Sequence, residues 1–302
     1  MSLPQLDFLV IGTQKGGTTT LDTMLEQHPE LFLAPVKELN YFALGGQPPQ
    51  WAGPGDDAAA NALSAPTADA YAAHFRQARA DQKLGESSVL YLYSEAAPAA
   101  IHAHNPAMKL IAVLRDPVKR AYSAYSHLRR DGREPELDFR AALEQEPART
   151  AANWEQLWRY RATGHYGDQL ERYLELFPRE QLLLFTSDML RQDLRGNLRR
   201  CYEFLGVDPA FQPDTDITMN ASGLAKNQGL NDFMGRQHPL KDALKKVIPL
   251  RVGRKIKGWI AARNLKPMPP LPDDVAAELR AYYQPQIAKT ERLTGLDLSA
   301  WK

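Results

Sequence analysis

The chain has 302 residues, with 37 Lys+Arg against 36 Asp+Glu and a formal charge of +1 at pH 7. That near-neutral sum excludes a generally basic polyanion binder, so no nucleic-acid partner is expected. Hydrophobic residues make up 44%, enough at this length for a sizeable core, and a single domain over 1–302 is expected.

The opening MSLPQLDFLVIG has no basic n-region, long apolar h-region or small-residue cleavage site, and a cytoplasmic location is expected. Phe8-Leu9-Val10-Ile11 is a continuous apolar run that ends at Gly12, the pattern of a strand buried on both faces of a parallel sheet. A glycine- and threonine-rich turn, residues 13–20, leads into a helix with Leu21, Met24, Leu25 and His28 at helical spacing. Residues 31–33 and 40–42 read as a strand–loop–strand segment around Pro35-Val36-Lys37-Glu38. Residues 45–66 are rich in Gly, Pro and Ala without a period, which predicts a surface insertion. Residues 67–80 read as a helix with Tyr71 and Phe75 on one face.

Residues 109–114 (KLIAVL) give the second strong strand, opening into Arg115-Asp116-Pro117 and a helix through Ala121 to Arg130. Residues 181–185 predict a third buried strand between helices at about 164–177 and 191–205. Cys201, the single cysteine, sits in an apolar helical pattern and reads as a buried structural thiol. The tail from about 272 predicts a helix with Leu279, Tyr282, Tyr283 and Ile287 on one side. Strands alternating with helices imply a three-layer α/β/α fold with a mainly parallel sheet.

Two places carry chemistry. A loop of small residues between a strand and a helix aims backbone N–H groups at one point, where the helix dipole adds partial positive charge. Lys15, Gly16, Gly17, Thr18 and Thr19 therefore read as a phosphate or sulfate cradle, or else as a tight turn with a solvated lysine. The lysine precedes the glycine pair, so this is P-loop-like but not a Walker A loop, and G-x-G-x-x-G is absent. The second place follows the strand at 109–114. At the carboxyl end of a parallel strand, Arg115 projects into the same crevice as Lys15, and Ser123 lies two helical turns on. Arginine presents a rigid fork suited to phosphate, although pairing with Asp116 or a capping role is an equal reading.

Together these sites resemble the sulfotransferases that use 3′-phosphoadenosine-5′-phosphosulfate (PAPS), nearest to bacterial-type members and the heparan sulfate sulfotransferase branch. The resemblance rests on FLVIGTQKGGTTTL (8–21), VKELNYF (36–42), KLIAVLRDPVKRAYSAYSH (109–127), NASGLAKNQ (220–228) and the terminal YYQPQIAKTERLTGLDLSAW. It implies that Lys15 to Thr19 hold the 5′-phosphosulfate, with Lys15 on the oxygen bridging phosphorus and sulfur. It further implies that Arg115 and Ser123 bind the 3′-phosphate, that Gly223 and Lys226 lie in a loop over the nucleotide, and that Glu38 is the catalytic base. A glutamate of ordinary pKa, about 4.3, is ionised at neutral pH, and Lys37 beside it would hold it so. The implied reaction moves the sulfuryl group to an acceptor hydroxyl, less readily an amine, and releases adenosine 3′,5′-bisphosphate without a metal. The implied acceptor is a small molecule, lipid or carbohydrate. Heparan sulfate relatives often carry a lysine after the glutamate of the next strand. Here that place, in Gly85-Glu86-Ser87-Ser88, is Ser87, so a glycosaminoglycan acceptor is not assigned.

His165 is the alternative base, with capping or packing as its other reading. Trp154, Trp158 and Tyr160 suit an acceptor pocket or the core equally. Residues 236–266 hold ten Lys/Arg against Asp242 alone, with Ile248, Val252, Ile256, Trp259 and Ile260 near helical spacing. Such a basic amphipathic segment suits a peripheral anionic-membrane contact or a solvated flank. Two rival functions are a P-loop-type kinase using ATP and a non-catalytic nucleotide-binding relative.

Overall fold

Phe8–Gly12 is the central strand β1 of a five-stranded sheet in the computed structural model, which describes residues 3–215, 224–225, 265–266 and 268–302. Its companions are β2 (Leu31–Leu33), β3 (Lys83–Ser87), β4 (Lys109–Leu114) and β5 (Leu182–Thr186). The order is β2-β3-β1-β4-β5 and every pairing is parallel. Side chains alternate across the sheet. Phe8, Val10, Ile111 and Val113 pack with Leu21, Met24, Leu25, Leu198, Cys201 and Tyr202 on one face. Leu9, Ile11, Leu110, Ala112 and Leu114 pack on the other with Tyr91, Leu92, Tyr125, Leu170 and Tyr283. Helices cover both faces, and the three-layer α/β/α architecture is the one expected from the sequence.

In chain order the helices are α1 (Thr18–Leu25), α2 (Tyr41–Leu44), α3 (Ala68–Ala73), α4 (Leu90–Tyr93), α5 (Ala97–His104) and α6 (Pro117–Arg130). They continue with α7 (Phe139–Glu144), α8 (Glu146–Ala151), α9 (Tyr166–Leu174), α10 (Ser187–Gln192), α11 (Leu194–Leu205) and α12 (Asp273–Thr294). The last docks on α9 through Lys289, which bridges Asp168 at 2.7 Å and Glu171 at 2.6 Å. Leu279, Tyr283 and Ile287 are buried there, while Tyr282 is 44% exposed.

Three elements differ from the sequence reading. Residues 41–44 form α2 instead of a strand, because Asn40 turns the chain in the left-handed region and Phe42 packs edge-on against Tyr71 and Tyr91. The helix predicted to run to residue 80 ends at Ala73, its C-cap amide bonded back within the last turn. β3 carries no apolar run to announce it, yet lies between β1 and β2.

The stretch 45–66 contains one short helical turn, Asp57–Asn61, and is mostly exposed. It is nevertheless anchored by Asp56, which is fully buried. Asp56 accepts from the Gly53 N–H at 2.8 Å, the Glu155 N–H at 2.9 Å, Trp158 Nε1 at 3.0 Å and Arg133. Leu224–Ala225 and Leu265–Lys266 form a short antiparallel pair. Gly223, Lys226 and, apart from 265–266, the basic stretch 236–266 lie outside the described residues.

Candidate active site

The loop from Thr13 to Gly17 leaves the carboxyl end of β1 beside β4. Its turn is closed by the Thr13 N–H on Val113 O (3.0 Å) and the Gly16 N–H on Thr13 O (2.8 Å). A Cβ on Gly16 would sit 2.1 Å from Val113 O, so the approach to β4 needs glycine. Gly17, the residue before α1, has φ 106, a conformation open to glycine and costly to other residues. α1 has no side-chain cap and no acidic residue in its first turn, so its partial positive end stays uncompensated at the loop mouth. Thr19 is exposed there, whereas the buried Thr18 hydroxyl accepts from Lys37 Nζ at 3.2 Å.

Cations crowd this mouth. Arg115, just past β4, donates from Nη1 to Lys15 O at 3.1 Å, and its Nε is buried without a partner among the described residues. Asp116 does not take the guanidinium. Its Oδ1 caps α6 by accepting from the Val118 N–H (2.9 Å) and the Lys119 N–H (3.3 Å), with Pro117 at the first helical position. On α6, Ser123, His127 and Arg130 stand at i, i+4 and i+7, which is one helix face. Burial, followed by Arg130, holds the Lys15 ammonium down at about 8; Arg115 and Arg120 add to this and Asp131 opposes it. Burial with Lys15, Arg130 and Arg133 pushes His127 well below its ordinary value. Asp131 answers Arg130 at 2.9 Å and His127 at 3.5 Å, while the crowding of Lys15 and Arg115 suits a ligand bearing negative charge.

The carboxylate side lies at the end of β3. Glu38 donates its N–H to Ser87 O at 2.9 Å, and its Oε2 accepts from the Val89 N–H at 3.0 Å. Burial pushes its carboxyl up to about 8, with Glu86 and Asp22 adding to the rise and Lys37 opposing it. The expected ordinary glutamate is therefore a correction: Lys37 is bound to Asp22 and Thr18 and does not cancel the burial. Ser87 also serves Asp22, donating to Oδ2 at 2.9 Å. Glu86 is fully buried, held by Ser88, Tyr91 (2.7 Å) and Tyr71 (3.3 Å), and burial raises it to about 7.

The structure thus brings Lys15 and Arg115 into contact and puts His127 and Arg130, on the α6 face that also carries Ser123, within electrostatic reach of Lys15. It does not set His165 with Glu38. His165 Nε2 pairs with Tyr282 Oη at 2.8 Å and its ring packs on Tyr282 and Tyr283 of α12, a packing role. Trp158 and Tyr160 are fully buried around the Arg149 guanidinium, also in the core. The sequence reading missed His127 and Arg130, although their spacing from Ser123 announces them. It also missed Asp22 and Ser187, whose hydroxyl donates to Gly16 O and Leu114 O; only the packed fold shows these.

A family model described as "Sulfotransferase domain" matches residues 5–222. The chain belongs to the sulfotransferase family. Among solved structures, a sulfotransferase from Alicyclobacillus acidocaldarius is 32% identical and superposes with a TM-score of 0.77, covering 99% of each chain. Heparan sulfate glucosamine 3-O-sulfotransferase 6 of Mus musculus is 29% identical over 96% of this chain and 72% of its own length. The bovine bifunctional heparan sulfate N-deacetylase/N-sulfotransferase 2 is 30% identical over 78% of this chain. This sulfotransferase spans about 27% of that bifunctional enzyme's length.

Proposed function

We propose that this sulfotransferase moves the sulfuryl group of PAPS to an acceptor hydroxyl, releasing adenosine 3′,5′-bisphosphate. The observation that carries the reading is the glycine turn between β1 and α1, whose helix end has no acidic or side-chain cap, with Arg115 bonded to Lys15 O and both cations facing it. A donor with two separate phosphate groups offers the charge to balance it. In this reading the Gly16, Gly17, Thr18 and Thr19 amides and Lys15 hold the 5′-phosphosulfate, and Arg115 with Ser123 takes the 3′-phosphate.

Charge grows on the leaving phosphate oxygen during in-line transfer, and positioning with fixed cations does most of the work, so the reading needs no metal. Lys15 neutralises that oxygen. Glu38 takes the acceptor's proton, and a carboxylate whose proton affinity lies near pH 8 is a stronger base than an ordinary one. The relatives' names specify heparan sulfate, but Ser87 is engaged by Asp22, so the acceptor class proposed is a small-molecule, lipid or carbohydrate hydroxyl. A cytoplasmic setting accords with the single buried thiol of Cys201. An ATP kinase finds no support in the family match.

Thermal unfolding with adenosine 3′,5′-bisphosphate or ADP tests the donor. The melting temperature should rise with the 3′-phosphorylated nucleotide and not with ADP, and a preference for ADP would overturn the assignment.

A further inference from the structure

Gln14, the residue before Lys15, carries a contact that the donor chemistry does not use. Its Nε2 donates to Glu155 Oε1 at 3.3 Å, across 141 positions of sequence, while its own Oε1 is buried without a partner among the described residues. The second oxygen of Glu155 accepts from the Leu157 N–H at 3.0 Å, and its backbone N–H donates to Asp56 Oδ2 at 2.9 Å. Asp56 is fully buried and paired with Arg133. A continuous path thus runs from the loop through Glu155 to the anchor of the 45–66 stretch. Burial pushes Glu155 up to about 7, with the facing Asp56 adding to it and Arg133 opposing.

Lys15 has φ 67, a left-handed conformation that a non-glycine residue keeps only where its surroundings over-determine it. Four ties from elsewhere in the described residues act on the loop: Val113 O on Thr13, Arg115 on Lys15 O, Ser187 on Gly16 O, and Glu155 on Gln14. The first fixes the strand end and the second belongs to a residue assigned to the donor. The third holds Gly16, itself assigned to the donor cradle, and the fourth holds Gln14, the other neighbour of Lys15, through a side chain with no donor role.

We propose that Glu155 is a positioning residue for sulfuryl transfer, which fixes the Gln14 carboxamide and thereby the backbone that aims Lys15 at the leaving oxygen. The proposal rests on the donor reading above.

Glu155→Gln tests it, because glutamine keeps the size and the bond to the Leu157 N–H but turns an amide donor toward Gln14 Nε2. That variant, Gln14→Ala and the double variant would be compared with wild type by melting temperature, affinity for adenosine 3′,5′-bisphosphate, and conversion of PAPS with water as acceptor. The expected result is a turnover roughly tenfold lower in each single variant, a modest part of what a misplaced group costs. Nucleotide affinity should stay within about twofold, and the double variant should be no slower than the slower single one, as for residues acting as one unit. Additive losses, unchanged turnover, a matching loss of nucleotide affinity, or loss of the melting transition in Glu155→Gln would overturn the proposal. A wild type that neither binds the nucleotide nor converts PAPS would instead overturn the donor reading, and this one with it.

Discussion

Lys15 and Glu38 share a backbone property with only Asn40 and Asn153 among the described non-glycine residues, a positive φ. Asparagine visits that region readily; lysine and glutamate do so at a cost that clusters at functional sites. Removal of the Lys15 ammonium should therefore be felt in the chemistry. Lys15→Ala is expected to lower turnover by roughly 10²-fold or more, as for loss of one transition-state donor, and steady-state kinetics would read it. Near-normal turnover would remove Lys15 from the mechanism. Glu38→Gln should lower turnover while leaving adenosine 3′,5′-bisphosphate affinity intact. The pH profile follows from both groups: Glu38 must lose its proton and Lys15 must keep its own, and each lies at about 8 in the free protein. The donor's kcat/KM should rise through that pH on the acid side and fall through it on the alkaline side, a narrow bell. Glu38→Gln should abolish the acid limb alone. The residue types of this pair were legible in the sequence, but their proton affinities were not, because burial sets them and burial belongs to the fold.

At the scale of elements, the fold holds the site by capping and anchoring. Asp116 starts α6 and so fixes where Arg115 ends and the helix bearing Ser123 begins. Asp116→Ala should cost about 1 kcal/mol, the usual value of an N-cap, measured by urea unfolding. Asp56 is a larger case, since its loss leaves Arg133 Nη2 and the Trp158, Glu155 and Gly53 N–H groups without this acceptor. Asp56→Ala should cost on the order of 3 kcal/mol in the same measurement, the scale of a buried pair broken from one side. A cost below half a kcal/mol would show that the 45–66 stretch is not anchored there. β1 and β4 could be read in the sequence because a strand covered on both faces must be apolar throughout. Apolar pattern shows neither β3, which only the family resemblance placed, nor α2: one hides a buried glutamate satisfied by two tyrosines, and the other depends on a turn at Asn40.

For the whole molecule, nucleotide binding and folding are linked by mass action. Adenosine 3′,5′-bisphosphate at about 100 times its Kd should add about 2.7 kcal/mol to unfolding, seen as a rise in melting temperature. Lys15→Ala should lessen that rise at equal nucleotide concentration. By itself the sequence determined the parallel α/β architecture and the glycine turn between the first strand and its helix, and it placed Arg115 in the same crevice, because apolar periodicity and local turn chemistry are written in consecutive residues. Only the tertiary structure decided the strand order β2-β3-β1-β4-β5 and the lowered Lys15. It also decided the raised Glu38, the pairing of His165 with Tyr282 of α12 and the tie from Gln14 to Glu155. The reason is physical: burial and charge proximity join residues distant in the chain, and no local pattern encodes which of them will meet.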